Sequence, residues 1–388
     1  MASRSLITAL DIGTRVIKVL VAKKSSPQGE IELVSLIKAP TRGISRRGVS
    51  NDEQLINVLR EIIHQAEQES SLKIRGVYLN VGGSRFKAIP THSLVSVSRA
   101  DREISQEDIN RVLQAAKIIN LPSNYEIWGV VPKEFIIDDQ RGIQKPLGMK
   151  GARLEVEGLL LTIFTPYREK IERVVTKAGL DIKDTLISSL SSAEAVLTSQ
   201  EKEKGVVVVD IGAGLTKIAI FKNGALIWTA MLPLGSENIT DDLAVGLQVD
   251  FSQAEEMKKG LKSSFSPGRS KKGKTAPGEK EQMKIIRPRV EEILEEINKQ
   301  ILAVFHRQDL PAGVILTGGG AKLNGLEDLA KKEFKLPVRL GYCSKISGLE
   351  KDISLSTVAG LALIAGQEGP HPISIFSFFR KILRIFIP

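Results

Sequence analysis

The sequence predicts an α/β protein of two related lobes, with a small α+β unit inserted into the first and an amphipathic helix at the C-terminal end. Three observations predict it. Apolar strand-like runs alternate with helical stripes along 388 residues. A nine-residue pattern beginning Asp-Ile-Gly occurs twice, about 200 residues apart. Residues 373–388 are mostly apolar but carry Arg380, Lys381 and Arg384.

The elements follow in order. Residues 5–22 read as strand, Gly turn and strand, and 31–39 as a third strand. Leu55, Ile56, Leu59, Ile62, Ile63 and Ala66 form one stripe, so 52–68 is predicted helical. Strand 76–83 ends in glycines and closes the core of the first lobe, 1–83. Residues 84–160 hold the short runs SLVSVS, IWGVV and KEFIID, one helix after Ser105, and many turn residues, and form the insert. A strand over 154–164, a helix over 166–179 and a Ser/Ala-rich helix over 185–199 continue the first lobe through 161–200.

Residues 201–232 form the core of the second lobe, with three strands joined by Gly turns. A smaller subdomain, 233–305, carries helices at 237–248, 252–262 and 289–305 around a Gly/Ser/Pro/Lys-rich loop, 263–281, that is predicted to be flexible. Core returns at 306–365 with strand 313–323, a Gly-rich turn and helices at 325–333 and 355–365. A linker, 366–372, precedes the tail.

Composition excludes several classes. Hydrophobic residues at 42% exclude global disorder. One cysteine, Cys343, excludes a disulfide framework and a Cys-rich metal site, and fits a reducing compartment. Neither a signal peptide nor an apolar run long enough to span a bilayer is read from the sequence. The net charge of +10 suggests an anionic partner, but residues 262–289 hold nine Lys/Arg against two Glu. The rest is near balance, so no nucleic-acid partner is expected. The basic loop reads first as a solvated insertion.

The duplicated pattern carries the chemistry. Asp11-Ile12-Gly13-Thr14-Arg15-Val16-Ile17-Lys18-Val19 matches Asp210-Ile211-Gly212-Ala213-Gly214-Leu215-Thr216-Lys217-Ile218. A tight turn exposes backbone N–H groups, and Gly lets them approach a phosphate. Two such hairpins face to face would clamp a polyphosphate. Asp11 and Asp210, at strand ends, would sit near Mg²⁺ through its waters, because that ion dehydrates reluctantly. Lys18 is placed to reach a phosphate oxygen. A third turn, Thr317-Gly318-Gly319-Gly320, closes a strand and opens a helix whose N-terminus would hold a nucleotide's sugar or phosphates. Either hairpin alone reads first as an ordinary Gly turn; it is the two copies together with the third turn that point to a nucleotide.

These three motifs resemble the two phosphate motifs and the adenosine motif of the actin-like ATPases. Within that superfamily the chain resembles the FtsA family of bacterial cell-division proteins, on LITALDIGT, on residues 121–158, 188–212 and 232–247, and on GVILTGGGAKLNGLEDLA. The resemblance implies an actin-like fold with ATP and Mg²⁺ between the lobes. It implies phosphate or metal-shell contacts by Asp11, Gly13, Thr14 and Lys18, and by Asp210, Gly212, Ala213, Gly214 and Thr216. It assigns Gly318, Gly319 and Gly320 to the adenosine site and Glu255 and Lys258 to adenine and ribose, although those two also read as a solvated helix face. It offers Glu194, on the connector helix, as the group that polarises water, or else as a structural residue. The second hairpin departs from the family's Asp-Ile-Gly-Gly-Gly-Thr-Thr-Asp at Ala213, Leu215 and Lys217, which favours nucleotide binding over hydrolysis.

On a helix, residues 373–388 show one polar stripe. Ile375, Phe376, Phe378, Phe379, Leu383 and Phe386 lie among the apolar residues around it, and Arg380, Lys381 and Arg384 face anionic head groups. Four of the twelve Phe lie here. The helix would span about 24 Å, short of the roughly 30 Å of a bilayer core, so it would lie in the interface. The FtsA resemblance implies such a helix. It further implies FtsZ and other division proteins as partners, self-assembly into filaments, and a peripheral location on the cytoplasmic face of the inner membrane at the division site. The competing readings are a small-molecule kinase of the superfamily, for which the sequence offers no convincing acceptor site, and a pilus-assembly scaffold related to FtsA.

Overall fold

A computed structural model describes residues 5–24, 29–261, 278–305 and 309–367. The tail 373–388, most of the linker and residues 263–277 of the basic loop lie outside the described residues. Among the described residues no helix is long and apolar enough to cross a membrane.

The first lobe opens with β1 (Ser5–Ile12), β2 (Val16–Lys24) and β3 (Ile31–Pro40). A two-strand turn, β4 (Ile44–Ser45) and β5 (Gly48–Val49), leads to α1 (Asp52–Ser70) and β6 (Gly76–Val81). Asn51 starts α1 by accepting the Gln54 N–H, the usual task of an N-cap side chain. The insert contains β7 (Lys87–Ser96), α2 (Gln106–Ala115), β8 (Tyr125–Ile137), β9 (Gln140–Ile143) and β10 (Arg153–Phe164), whose last strand leads back to the lobe. The lobe resumes with α3 (Thr165–Lys177), β11 (Asp181–Ile187) and the connector α4 (Ser188–Val196).

A short α5 (Ser199–Lys204) leads into the second lobe: β12 (Val206–Ile211), β13 (Thr216–Lys222), β14 (Ala225–Leu232), α6 (Ser236–Leu247), α7 (Phe251–Gly260) and α8 (Glu279–Leu302). Then come β15 (Val314–Thr317), α9 (Leu326–Phe334), β16 (Val338–Leu340), β17 (Ile346–Ser347) and α10 (Ser356–Gly366).

Two sheets carry the lobes, ordered β11-β6-β1-β2-β3-β17 and β14-β13-β12-β15-β16. Strand alternation sorts their side chains. Ile17, Val19 and Val21 of β2 pack with α1 and α3, whereas Leu20 and Ala22 face α4 and α10. On β12, Val207 and Val209 pack with α6, α8 and α9, whereas Val206 and Val208 face the same α4 and α10. Both sheets thus share one core through two small-residue helices. The insert is a separate sheet, β7-β10-β8-β9, over α2.

Several boundaries differ from expectation. IWGVV and KEFIID are one strand, β8, with Pro132 absorbed at a register shift opposite Glu157/Gly158. Residues 185–187 belong to β11, so the connector helix starts at Ser188, and it ends at Val196. Helix α8 begins ten residues before the predicted start and runs through Pro288. The missing hydrogen bond is tolerated because Ile286, Val290, Ile293 and Leu294 stay in the core on either side.

Candidate functional site

The two Asp-Ile-Gly segments are antiparallel hairpins with the same register. Asp11 pairs with Lys18 across β1–β2, and Asp210 with Lys217 across β12–β13. Opposed residues share a face, so each carboxylate meets its own lysine: Lys18 Nζ is 2.8 Å from Asp11 Oδ2 and Lys217 Nζ is 3.1 Å from Asp210 Oδ2. Each turn closes alike, Gly13 N–H to Val16 O and Gly212 N–H to Leu215 O. A Cβ at Gly13 would lie 2.6 Å from that oxygen, and at Gly212 2.8 Å, so both turns need glycine.

The hairpins face each other. A Cβ at Gly214 would stand 2.8 Å from Thr14 Oγ1 and 2.6 Å from Arg46 Cγ. Around this meeting point lies a cavity of about 850 Å³. It is lined by Asp11, Gly13, Thr14 and Lys18 from one hairpin, and by Asp210, Gly212, Ala213, Gly214 and Lys217 from the other. Gly318, Gly319, Gly320, Glu255 and Lys258 also line it. Two proposed residues do not. Thr216 is fully buried outside the cavity lining. Glu194 points away, its carboxylate 2.9 Å from Lys202 Nζ and 3.6 Å from Lys345 Nζ, so the structure does not bring it to the cleft.

The two carboxylates differ in support. Asp11 accepts from Lys18 and, at 2.8 Å, from Asn80 Nδ2, whose Oδ1 takes the Ile12 N–H. Asp210 Oδ2 accepts from Ser192 Oγ at 2.5 Å, Thr357 Oγ1 at 2.8 Å and Lys217. Burial alone would raise the Asp210 pKa, but the Lys217 charge and the hydroxyls more than offset it and hold it below the ordinary range. Burial likewise disfavours the Lys217 ammonium, but Asp210, and behind it Asp11, raise its pKa overall.

The third glycine turn differs from its prediction. Gly318 adopts φ +88° directly over Asp210, where a Cβ would meet Oδ1 at 2.3 Å. A 3-10 turn, Gly319–Lys322, follows, and α9 begins only at Leu326, so it is the turn rather than a helix N-terminus that faces the cleft. Lys258 is buried, held by Ser236 O at 3.0 Å, Thr240 Oγ1 at 2.7 Å and Glu255 Oε2 at 2.7 Å. Burial lowers its pKa despite Glu255.

Two cross-cleft residues, Arg15 and Arg46, and one beneath the first hairpin, Asn80, were not singled out from the sequence. Arg15 Nε lies 2.7 Å from Glu237 Oε1, and its guanidinium stacks 3.8 Å from the Phe251 ring centre. Arg46 Nη2 lies 2.7 Å from Asp241 Oδ2. Asn80 was also missed, although its place at the end of strand GVYLNV, just before Gly82 and Gly83, is a signal.

Duplicated sheets, sharing two helices and presenting opposed hairpins over one cleft, define the actin-like ATPase class of fold. Solved structures agree. A PilM–PilN type IV pilus biogenesis complex superposes with TM-score 0.70 at 19% identity, covering 94% of this chain and 99% of that one. MreB5 of Spiroplasma citri bound to ADP gives 0.53 at 13% identity, covering 92% and 95%.

The family follows from closer matches. The model for cell division protein FtsA matches residues 207–360, and that for the SHS2 domain inserted in FtsA matches residues 83–162. Cell division protein FtsA of Pseudomonas aeruginosa is 33% identical over 94% of this chain and 90% of its own length. The Escherichia coli protein is 31% identical over 94% and 91%. The chain belongs to the FtsA family of cell-division proteins.

Proposed function

We propose that the chain binds ATP with Mg²⁺ between its lobes and, in that state, assembles on the cytoplasmic face of the membrane, where residues 373–388 attach it and FtsZ filaments are tethered to it. The observation that carries the nucleotide reading is the contact of Thr14 with Gly214, which brings two turns of exposed amides to one cavity. Eleven Lys and Arg line that space, Lys18, Lys217, Lys258 and Arg15 among them, against five Asp and Glu, an excess of positive charge that suits a polyphosphate.

Mg²⁺, when bound, would neutralise phosphate charge. Asp11 and Asp210 would hold it through its water shell, since direct ligation has to displace an ammonium from either carboxylate. The residues present fit binding better than turnover: both cleft aspartates already accept from lysine, and neither is a ready base.

The tail reading rests on the sequence: each basic residue is worth about 1 kcal/mol near an anionic surface, and one weak anchor per subunit sums along a filament. By family likeness the smaller subdomain, 233–305, is the docking face for FtsZ, and other division proteins join the assembly. The test is co-sedimentation with anionic vesicles, using the full chain and one lacking 373–388, with and without ATP. The full chain should pellet, more so with ATP, and the truncated chain should stay in solution. Pelleting of the truncated chain would remove the tether.

A further inference from the structure

Helix α4 begins with four serines in five residues, and three of them have partners. Ser189 Oγ bonds Thr229 Oγ1 at 2.8 Å, Ser191 Oγ donates to Ile187 O at 3.3 Å, and Ser192 Oγ donates to Asp210. Ser188 Oγ has none, although the residue is only 1% exposed. It lines the cleft cavity. A buried hydroxyl without a partner is costly, and native proteins keep few.

Topology says which part of a nucleotide reaches it. In the second sheet, β15 and β14 lie on opposite sides of the β12–β13 hairpin. The Gly318–Gly320 turn follows β15. On the other side Met231 of β14 packs at the Ser188 end: a Cβ on Gly82 would lie 2.3 Å from Ser188 Oγ and 3.1 Å from Met231 Sδ. A nucleotide with its sugar at Gly318–Gly320 and its phosphates between the hairpins therefore extends toward Ser188 with its last phosphoryl group. Ser188 also opens α4, a helix of nine residues, so the positive end of that helix lies at the same place.

We propose that Ser188 Oγ–H, at the start of α4, donates a hydrogen bond to the terminal phosphoryl group of a nucleoside triphosphate and so distinguishes triphosphate from diphosphate. This deepens the nucleotide reading above and rests on it. The placement also gives the distinction an outlet. One turn along, Ser192 accompanies Thr357 of α10 on Asp210, with the two hydroxyls 2.9 Å apart, so α4 joins the terminal subsite to the second lobe and to the helix shared by both.

Calorimetric titration of the full chain with Mg²⁺-AMPPNP and with Mg²⁺-ADP tests this in wild type, Ser188→Ala and Ser188→Thr. Ser188→Ala should weaken AMPPNP binding roughly ten- to a hundredfold, the usual worth of a hydrogen bond to a charged group, and leave ADP within about twofold. Ser188→Thr, which keeps the hydroxyl, should restore most of the difference. The melting temperature of Ser188→Ala should not fall, since no protein contact is lost. Equal weakening of both ligands would make Ser188 a structural residue and overturn the proposal. Unchanged binding of both would show that the hydroxyl meets no phosphate. A wild-type chain that binds neither ligand would remove the nucleotide reading itself, which the variants alone do not do.

Discussion

The two phosphate-type hairpins share register, turn hydrogen bond and Asp–Lys pair, yet their tips are built in opposite ways. The first presents side chains, Thr14 and Arg15; the second presents nearly bare backbone, Ala213 and Gly214. Lobe approach explains the asymmetry, because Thr14 and Arg46 already occupy the space a Cβ on Gly214 would need. Beneath the tips the order reverses. Asp11 has one lysine and one amide, whereas Asp210 has a lysine and two hydroxyls and is capped by Gly318. One lobe supplies the gripping groups, and the other supplies a rigid wall.

The largest effect should separate the two carboxylates by stability. Asp210→Ala leaves the Lys217 ammonium buried without its charge partner and should cost about 3–5 kcal/mol in urea unfolding. Asp11→Ala likewise strands an ammonium, that of Lys18, but leaves one polar partner fewer unpaired, so it should cost less by about 1 kcal/mol. Equal losses would mean that the wall is no more rigid than the grip.

Next comes the contact between the tips. Gly214→Val should force them apart and lower ATP affinity by at least tenfold, with a strain of about 1–3 kcal/mol. Thr14→Gly in the same chain should recover part of the affinity. A double variant as weak as the single one would show that the tips do not act through each other.

A pH series sharpens the buried pair. The folded Asp210 pKa lies below its unfolded value of about 3.9, so its contribution holds above that pH and is lost as pH falls through the folded value. The folded Lys217 pKa lies above its unfolded value of about 10.4, so its contribution holds below that pH and is lost as pH rises through the folded value. The difference in urea midpoint between wild type and Asp210→Asn/Lys217→Met should be flat from about pH 5 to 10 and change at both ends. A difference that slopes through neutrality would contradict this assignment.

The smallest effect belongs to the rim. Glu237→Gln removes the partner of a partly exposed Arg15 and should change stability by less than about 1 kcal/mol. Its signature is salt: the difference from wild type should vanish near 1 M NaCl, where screening reaches about 3 Å.

Much of this was legible in the sequence because hairpins and helices are local. The repeated Asp-Ile-Gly gave both hairpins, and the apolar stripe at 55–66 gave α1. What was not legible is pairing between distant segments. Glu194, on the connector, read as either a water-polarising acid or a structural residue; a helix turns about 100° per residue, and its side chain leaves on the face toward Lys202 and Lys345. Ser188, six residues earlier, looked like one serine among several. IWGVV and KEFIID read as separate runs on either side of Pro132, and whether a proline interrupts a ladder depends on whether the opposite strand can shift, which the local sequence does not say.

Gly360 of α10 presses against Ser191 of α4 so closely that a methyl group there would stand 1.7 Å from the Ser191 carbonyl oxygen. The two helices common to both lobes therefore touch main chain to main chain. Because α4 and α10 pack on both sheets, a rotation of one lobe against the other would load that bare crossing, which has no room to give. A wedge as small as one carbon at position 360 would therefore bear on the opening angle from outside the cavity lining.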